Sequence, residues 1–149
     1  MERRETLNIA NAKIIFRNFA GERTAYNREG DRNFCVIIED EEDARRLAED
    51  GWNIKLLKPR DPEDTPKHYL QVKVSFDNIP PRAYLIAGEN KTLLNEASIS
   101  CLDYSDLIKV DLVITPYMWD VNGKTGIKAY LKIGYFTIDE DPFASQYDF

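Results

Sequence analysis

At 149 residues, with 43% hydrophobic and 31% charged side chains, the chain is sized for one globular domain that buries its core without disulfides or metals. No apolar N-terminal run indicates a signal peptide or membrane span; Cys35 and Cys101, isolated in apolar stretches, read as buried small hydrophobes in a reducing cytoplasm. The net charge of −6 argues against a polyanionic ligand only until its distribution is read. Of that charge, −5 lies between Glu39 and Asp50 and −4 between Asp139 and Phe149, so the rest of the chain stands at +3 and leaves room for a basic face.

Leu7 to Phe19 reads as one long first strand, and Ala20 to Asn33, with Arg23, Arg28 and Arg32, as a mobile polar loop. Phe34 to Ile38 is a short apolar strand. Asp40 to Glu49 is the one helix, acidic in its first turn, striped by Ala44, Leu47 and Ala48 and stopped by Gly51. Asn53 to Leu57 is a strand, and the proline-punctuated segment from Lys58 to Pro66 is a loop. Tyr69 to Phe76 and Tyr84 to Ala87 alternate as strands; Glu89 to Asp106 is read as loop with a short helical turn. Short strands with one helix predict a mainly β domain, a small closed barrel, over residues 1–138, followed by a flexible acidic tail over 139–149.

The strongest local signal is Asn122-Gly123, a two-residue hairpin turn between Leu107–Trp119 and Gly126–Ile138. It pairs Val121 with Lys124 and thereby sets the register. Ile108, Val110, Leu112, Ile114, Met118, Ile127, Ala129, Leu131 and Ile133 then share one face, almost wholly apolar, which is the core. The other face sets Tyr117 opposite Lys128, Thr115 opposite Tyr130 and Val113 opposite Lys132, with Trp119 and Lys109 in the same rows. The strand from Tyr69 adds Tyr69 and Lys73, and Lys58 and Arg60 are placed at the rim. Rings interleaved with lysines suit a single nucleic-acid strand: bases stack on the rings and ammonium groups neutralise phosphates. The plainer account is that aromatic residues and lysines are common on exposed strand faces because they suit β-structure.

These segments resemble the phage replicative single-stranded DNA-binding proteins of the podovirus type. The similarity is carried by Lys109-Val110-Asp111-Leu112-Val113-Ile114-Thr115-Pro116-Tyr117-Met118-Trp119, by Gly126 to Lys132, and by Leu57-Lys58-Pro59 followed by Leu70 to Phe76. Gly30 to Ile38 and the acidic end closing on Phe149 match in the same order. The resemblance implies a single OB-fold, a five-stranded barrel with one connecting helix. It also implies binding of single-stranded DNA without sequence preference and a tail that contacts replication proteins. The tail here is shorter and less acidic than is usual in that family.

The expected mechanism is coating of single strands during phage DNA replication, recombination or repair in the bacterial cytoplasm. The tail residues Asp139, Glu140, Asp141, Phe143, Tyr147, Asp148 and Phe149 imitate a phosphate chain with aromatic handles. They compete with DNA for the groove and, once released, reach a polymerase, primase-helicase or recombinase. A swapped tail is compatible with a homodimer. Two other readings fit the sequence: an acidic interaction module or DNA mimic without its own nucleic-acid binding, and a virion component on the same barrel. No catalytic residue, metal site or cofactor is expected. His68 is the sole histidine, and the acids from Glu39 to Asp43 sit on consecutive positions that do not converge on one ion.

Overall fold

The computed structural model describes residues 6–77 and 79–139, so the predicted tail over 139–149 lies, apart from Asp139, outside the described residues. The strands are β1 (Leu7–Ile9), β2 (Ile14–Asn18), β3 (Arg32–Ile38), β4 (Ile54–Leu57), β5 (Lys67–Val74), β6 (Arg82–Ala87), β7 (Asn90–Leu94), β8 (Leu107–Val121) and β9 (Lys124–Ile138). Helix α1 (Glu41–Asp50) lies between β3 and β4, and a 3-10 turn (Ile99–Asp103) precedes β8. All nine strands belong to one sheet with the order β1-β8-β9-β5-β3-β2; β4 adds to β5, and the β6–β7 hairpin runs along β9. The β5–β9 and β6–β9 pairings are parallel and the rest antiparallel.

The mainly β architecture with one connecting helix stands, but among the described residues there are nine strands instead of five and a sheet that hydrogen bonds do not close. The ends of the sheet, β1 and β2, are consecutive pieces of the segment expected as a single strand. Asn11 breaks it by taking a left-handed backbone (φ 52), which Asn tolerates better than branched residues, and its N–H is held by Asp111 Oδ1 at 3.0 Å. On one side of this break the chain pairs with β8, on the other with β3. The covalent chain therefore spans the gap that no ladder closes.

Inside, Phe19 stacks on Phe34 at 5.0 Å between ring centroids and meets Phe136 edge-on at 5.6 Å, all three fully buried. Each such aromatic pair contributes about 0.5–1.5 kcal/mol beyond area burial. Helix α1 begins at Asp40, whose carboxylate accepts the Glu42 and Asp43 N–H groups, and ends at Gly51 (φ 108). Ala44 and Leu47 face the core, while Arg45 pairs with Glu42 and Glu49 and Arg46 with Asp43. The helix end grips the hairpin: Ile127 N–H donates to the Gly51 carbonyl at 3.1 Å, and Trp52, 6% exposed, bridges to Ile127. Burial pushes the Cys35 thiol up to about 11 against the opposing pull of Lys55, so it stays protonated near neutral pH.

Several expectations are corrected. The stretch from Glu89 contains a full strand, β7, paired with β6. The loop read as mobile is laced together by Asn27, whose amide donates to the carbonyls of Glu22, Arg28 and Asp31, and by Asn33, which donates to Asn27 Oδ1 at 2.8 Å. Ile108 (63% exposed) and Met118 (43%) are not core residues. A bulge at Ile108 and a hairpin tip extending past the sheet account for them. Ile133 is also displaced from the core, because the strand changes parity at Lys132.

Candidate nucleic-acid interface

The Asn122-Gly123 turn forms as expected, with both residues at positive φ and Val121 paired to Lys124. Register is then regular back to Ile114↔Leu131, so Tyr117 faces Lys128 and Thr115 faces Tyr130. On the far side of β9, Lys73 of β5 pairs with Tyr130, and Asn33 of β3 pairs with Lys73. Because paired residues share a face, one row runs Asn33, Lys73, Tyr130, Thr115 across four strands. Their sequence neighbours Phe34, Val72, Ala129 and Ile114 point inward and are buried, which fixes the row as the outer face.

Along this face Tyr117 and Tyr130 meet edge to face at 6.0 Å, leaving ring surface open to solvent; Tyr117 is 58% exposed. Trp119 lies half-exposed across its partner Gly126, where a Cβ at position 126 would come within 2.6 Å of the indole. The missing side chain lets the indole lie flat on the neighbouring strand. Tyr69 is on the same side of β5 as Lys73, and its ring meets Phe16 edge-on at 6.1 Å. Among the described residues, no ion pair ties Lys73, Lys128 or Lys132 to a carboxylate. The surface thus presents open rings and unpaired ammonium groups.

Seven of the nine predicted groove residues share the outer surface, but two details of their placement change. Lys132 does not oppose Val113: the register shifts so that Val113 pairs with Ile133, leaving Lys132 as the extra, exposed residue of a β-bulge. Lys58 and Arg60 are exposed on the β4–β5 loop, beyond the Leu57↔Lys67 pair and at the opposite end of β5 from Lys73. Lys55, paired with Tyr69, occupies the rim instead.

Sequence reasoning missed Phe16, Lys55 and Tyr26. Phe16 is 60% exposed because its backbone is left-handed (φ 52) at an irregularity in β2, a departure that no alternation pattern signals. Tyr26 is fully exposed at the tip of the 20–31 loop, on a tight turn closed by Thr24 and Asn27. That loop is tied to the outer face through Asn33, whose Oδ1 accepts from Gln71 at 3.4 Å. A cleft of about 560 Å³ between the N-terminal segment and α1 is lined by Glu39, Asp40, Asp43 and Asp50 against Lys13 and Arg46, a net negative charge unsuited to phosphates. Among the described residues no cluster of His, Cys, Asp and Glu could hold a metal, and no helix is long and apolar enough to cross a membrane.

The strand order and the two parallel contacts of β9 define an OB-like class of domain. The fold is similar to the single-stranded DNA-binding protein from bacteriophage Enc34 in complex with ssDNA, with TM-score 0.58 and 12% identity over 93% of this chain and 89% of that one. It is similar also to that phage protein alone, with TM-score 0.56 and 12% identity over 96% and 90% of the two chains. Its C-terminal truncation gives 0.56 and 11% over 93% and 88%. No curated protein matches the chain. The family described as "Putative phage ssDNA-binding domain" matches residues 1–148, and the chain belongs to that family. The resemblance read from the strand motifs is thereby borne out, and the alternative of a module without its own nucleic-acid binding is set aside.

Proposed function

We propose that this single-stranded DNA-binding protein lays its strand across the outer face of β5, β9 and β8. Bases stack on Tyr69, Tyr130, Tyr117 and Trp119, and phosphates are met by Lys73, Lys128 and Lys132. The observation that carries this reading is the four-strand row through Lys73 and Tyr130, with Tyr117 against Tyr130 and, among the described residues, no carboxylate paired to the lysines. Stacking contributes about 1–3 kcal/mol per base and needs no base identity, so the strand is coated without sequence preference. Lys58 and Arg60 take phosphates only where the strand leaves past Tyr69. The setting is replication, recombination or repair of phage DNA in the cytoplasm of a bacterial host.

The tail, Asp139 to Phe149, competes with DNA for the same lysines; occupancy of the groove frees Phe143, Tyr147 and Phe149 for a polymerase, primase-helicase or recombinase. Exchange of tails between two copies gives a homodimer. Truncation after Ile138 is expected to tighten DNA binding at low salt, with the gain vanishing at high salt where exposed charges are screened. Equal affinity of the two forms at low salt removes the competition, and a truncated chain that sediments like the full chain removes tail exchange.

The face itself is tested by tryptophan fluorescence titrated with oligo-dT and with duplex at two salt concentrations. Trp52 is buried and serves as an internal reference, isolated by Trp119→Phe. Trp119 is expected to be quenched by the single strand and little by duplex, with affinity falling as salt rises. A strand that binds while Trp119 stays silent and Tyr117→Leu, Tyr130→Leu behaves as wild type lies elsewhere on the protein.

A further inference from the structure

The outer face of β9 does not end at Tyr130. Past the Lys132 bulge its parity changes: Gly134 and Phe136 turn inward, and Ile133, Tyr135 and Thr137 turn outward. β6 lies parallel to this part of β9 and pairs Tyr84 with Tyr135. The two rings lie nearly parallel, 5.4 Å apart and inclined by 13°. Lys91 of β7 holds its Nζ 4.2 Å from the centre of the Tyr84 ring and 5.4 Å from that of Tyr135. Neither ring serves the core, which here is filled by Ala83 and Phe136 from the opposite side of the same strands.

We propose that Tyr84, Tyr135 and Lys91 form a second base-stacking platform that extends the single-strand path along β9 beyond the bulge. The proposal rests on the reading of the hairpin face as the primary site. Continuity is the first argument: Tyr130 and Tyr135 are on one strand, roughly 16 Å apart at strand rise, with exposed Lys132 between them. Charge is the second. Among the described residues Lys91 has no carboxylate partner. The nearby acid, Asp111, which pairs with Tyr135, already accepts the Asn11 N–H and lies 3.8 Å from Lys109 Nζ.

The third argument is the state of the rings. Besides each other, they meet the Lys91 ammonium on a flexible stem, which electron-rich ring faces attract. An arriving base displaces it, takes the ring face, and leaves the ammonium free to meet the phosphate of the same nucleotide. The site is thus held in place by a group that becomes a ligand contact when the strand arrives.

The test is affinity measured over an oligo-dT series from about 4 to about 16 nucleotides, the span of OB-fold site sizes. Tyr84→Leu, Tyr135→Leu is expected to bind the shortest oligonucleotides as wild type does and the longest at least about tenfold more weakly, one lost stacked base or more. Tyr130→Leu, in contrast, is weakened at every length. A double variant that matches wild type at every length, or is weakened equally at all lengths, overturns the proposal. Should the double variant not fold, Lys91→Gln decides. It is expected to lower the salt dependence by about 0.7 for long oligonucleotides only, and an unchanged slope overturns the platform. Failure of the primary reading looks different: there Tyr130→Leu and Tyr117→Leu leave the shortest oligonucleotides bound as in wild type.

Discussion

The two halves of the β8–β9 hairpin are built from the same kinds of residue and put them to opposite uses. From Thr115 to Tyr130 around the turn, register is regular and the hairpin carries half-exposed rings on its outer side. From Leu107 to Ile114 and Leu131 to Ile138, two irregularities interrupt the pairing, and Phe136 is fully buried against Phe19 while its neighbour Tyr135 turns outward. The difference lies in backbone count. A single extra residue at Lys132 reverses which side chains face inward, so Tyr130 and Phe136, both even-numbered, end on opposite sides of the sheet. Aromatic content alone therefore does not assign a ring to a site; its position relative to the bulge does.

The largest expected effect breaks this comparison from the buried side. Phe136→Ala empties a site between Phe19 and the Gly134 backbone and is expected to cost about 3–5 kcal/mol in urea unfolding. Val121→Ala, 58% exposed at the tip, is expected to change stability by less than about 0.5 kcal/mol. Comparable losses at both positions mean that the tip packs on something beyond the fold described. On the exposed side, Tyr117→Leu and Tyr130→Leu are each expected to weaken oligo-dT by about 1–3 kcal/mol while leaving the unfolding midpoint nearly unchanged. Since the two rings touch, the double variant is expected to lose less than the sum, measurable as a coupling in a double-mutant cycle.

The regular half was legible in the sequence because Asn122-Gly123 admits one tight turn and strict alternation follows from it. From those two residues came Tyr117 opposite Lys128 and Thr115 opposite Tyr130. The bulged half was not legible. No residue near Lys132 announces an extra position, and the pattern carried straight through it misplaces Ile133 and misses Tyr135. Gly134 is the sole trace: a strand glycine marks a close approach, here of the Phe136 ring, which an added Cβ would meet at 2.4 Å. The first strand failed for a related reason, since the left-handed backbone at Asn11 lets one stretch of chain serve two partners without disturbing its hydrophobic pattern. The helix was legible almost to the residue, because Asp40 and Gly51 are capping residue types at the right spacing.

Gly126→Ala sharpens the comparison with a smaller effect. Its Cβ lifts the Trp119 indole off the strand, while the less flexible unfolded chain offsets part of the lost contact. Net stability is expected to move by less than about 1 kcal/mol, and the Trp119 emission maximum to shift to the red. An unchanged spectrum means that the indole does not rest on Gly126 in solution.

The smallest effect compares one lysine from each half. Lys128, opposite Tyr117, has no carboxylate partner among the described residues, whereas Lys109 lies 3.8 Å from Asp111. A lysine already set against an acid gives up part of that interaction when it meets a phosphate, and the acid it leaves repels the strand. A lysine without such a partner loses only water. Lys128→Gln is therefore expected to reduce the slope of log affinity against log salt by about 0.7, the value for one phosphate contact on a single strand. Lys109→Gln is expected to leave the slope nearly unchanged. Equal slopes for the two variants mean that the strand treats both halves of the hairpin as one undifferentiated basic surface, and the distinction drawn from the bulge then has no consequence for DNA.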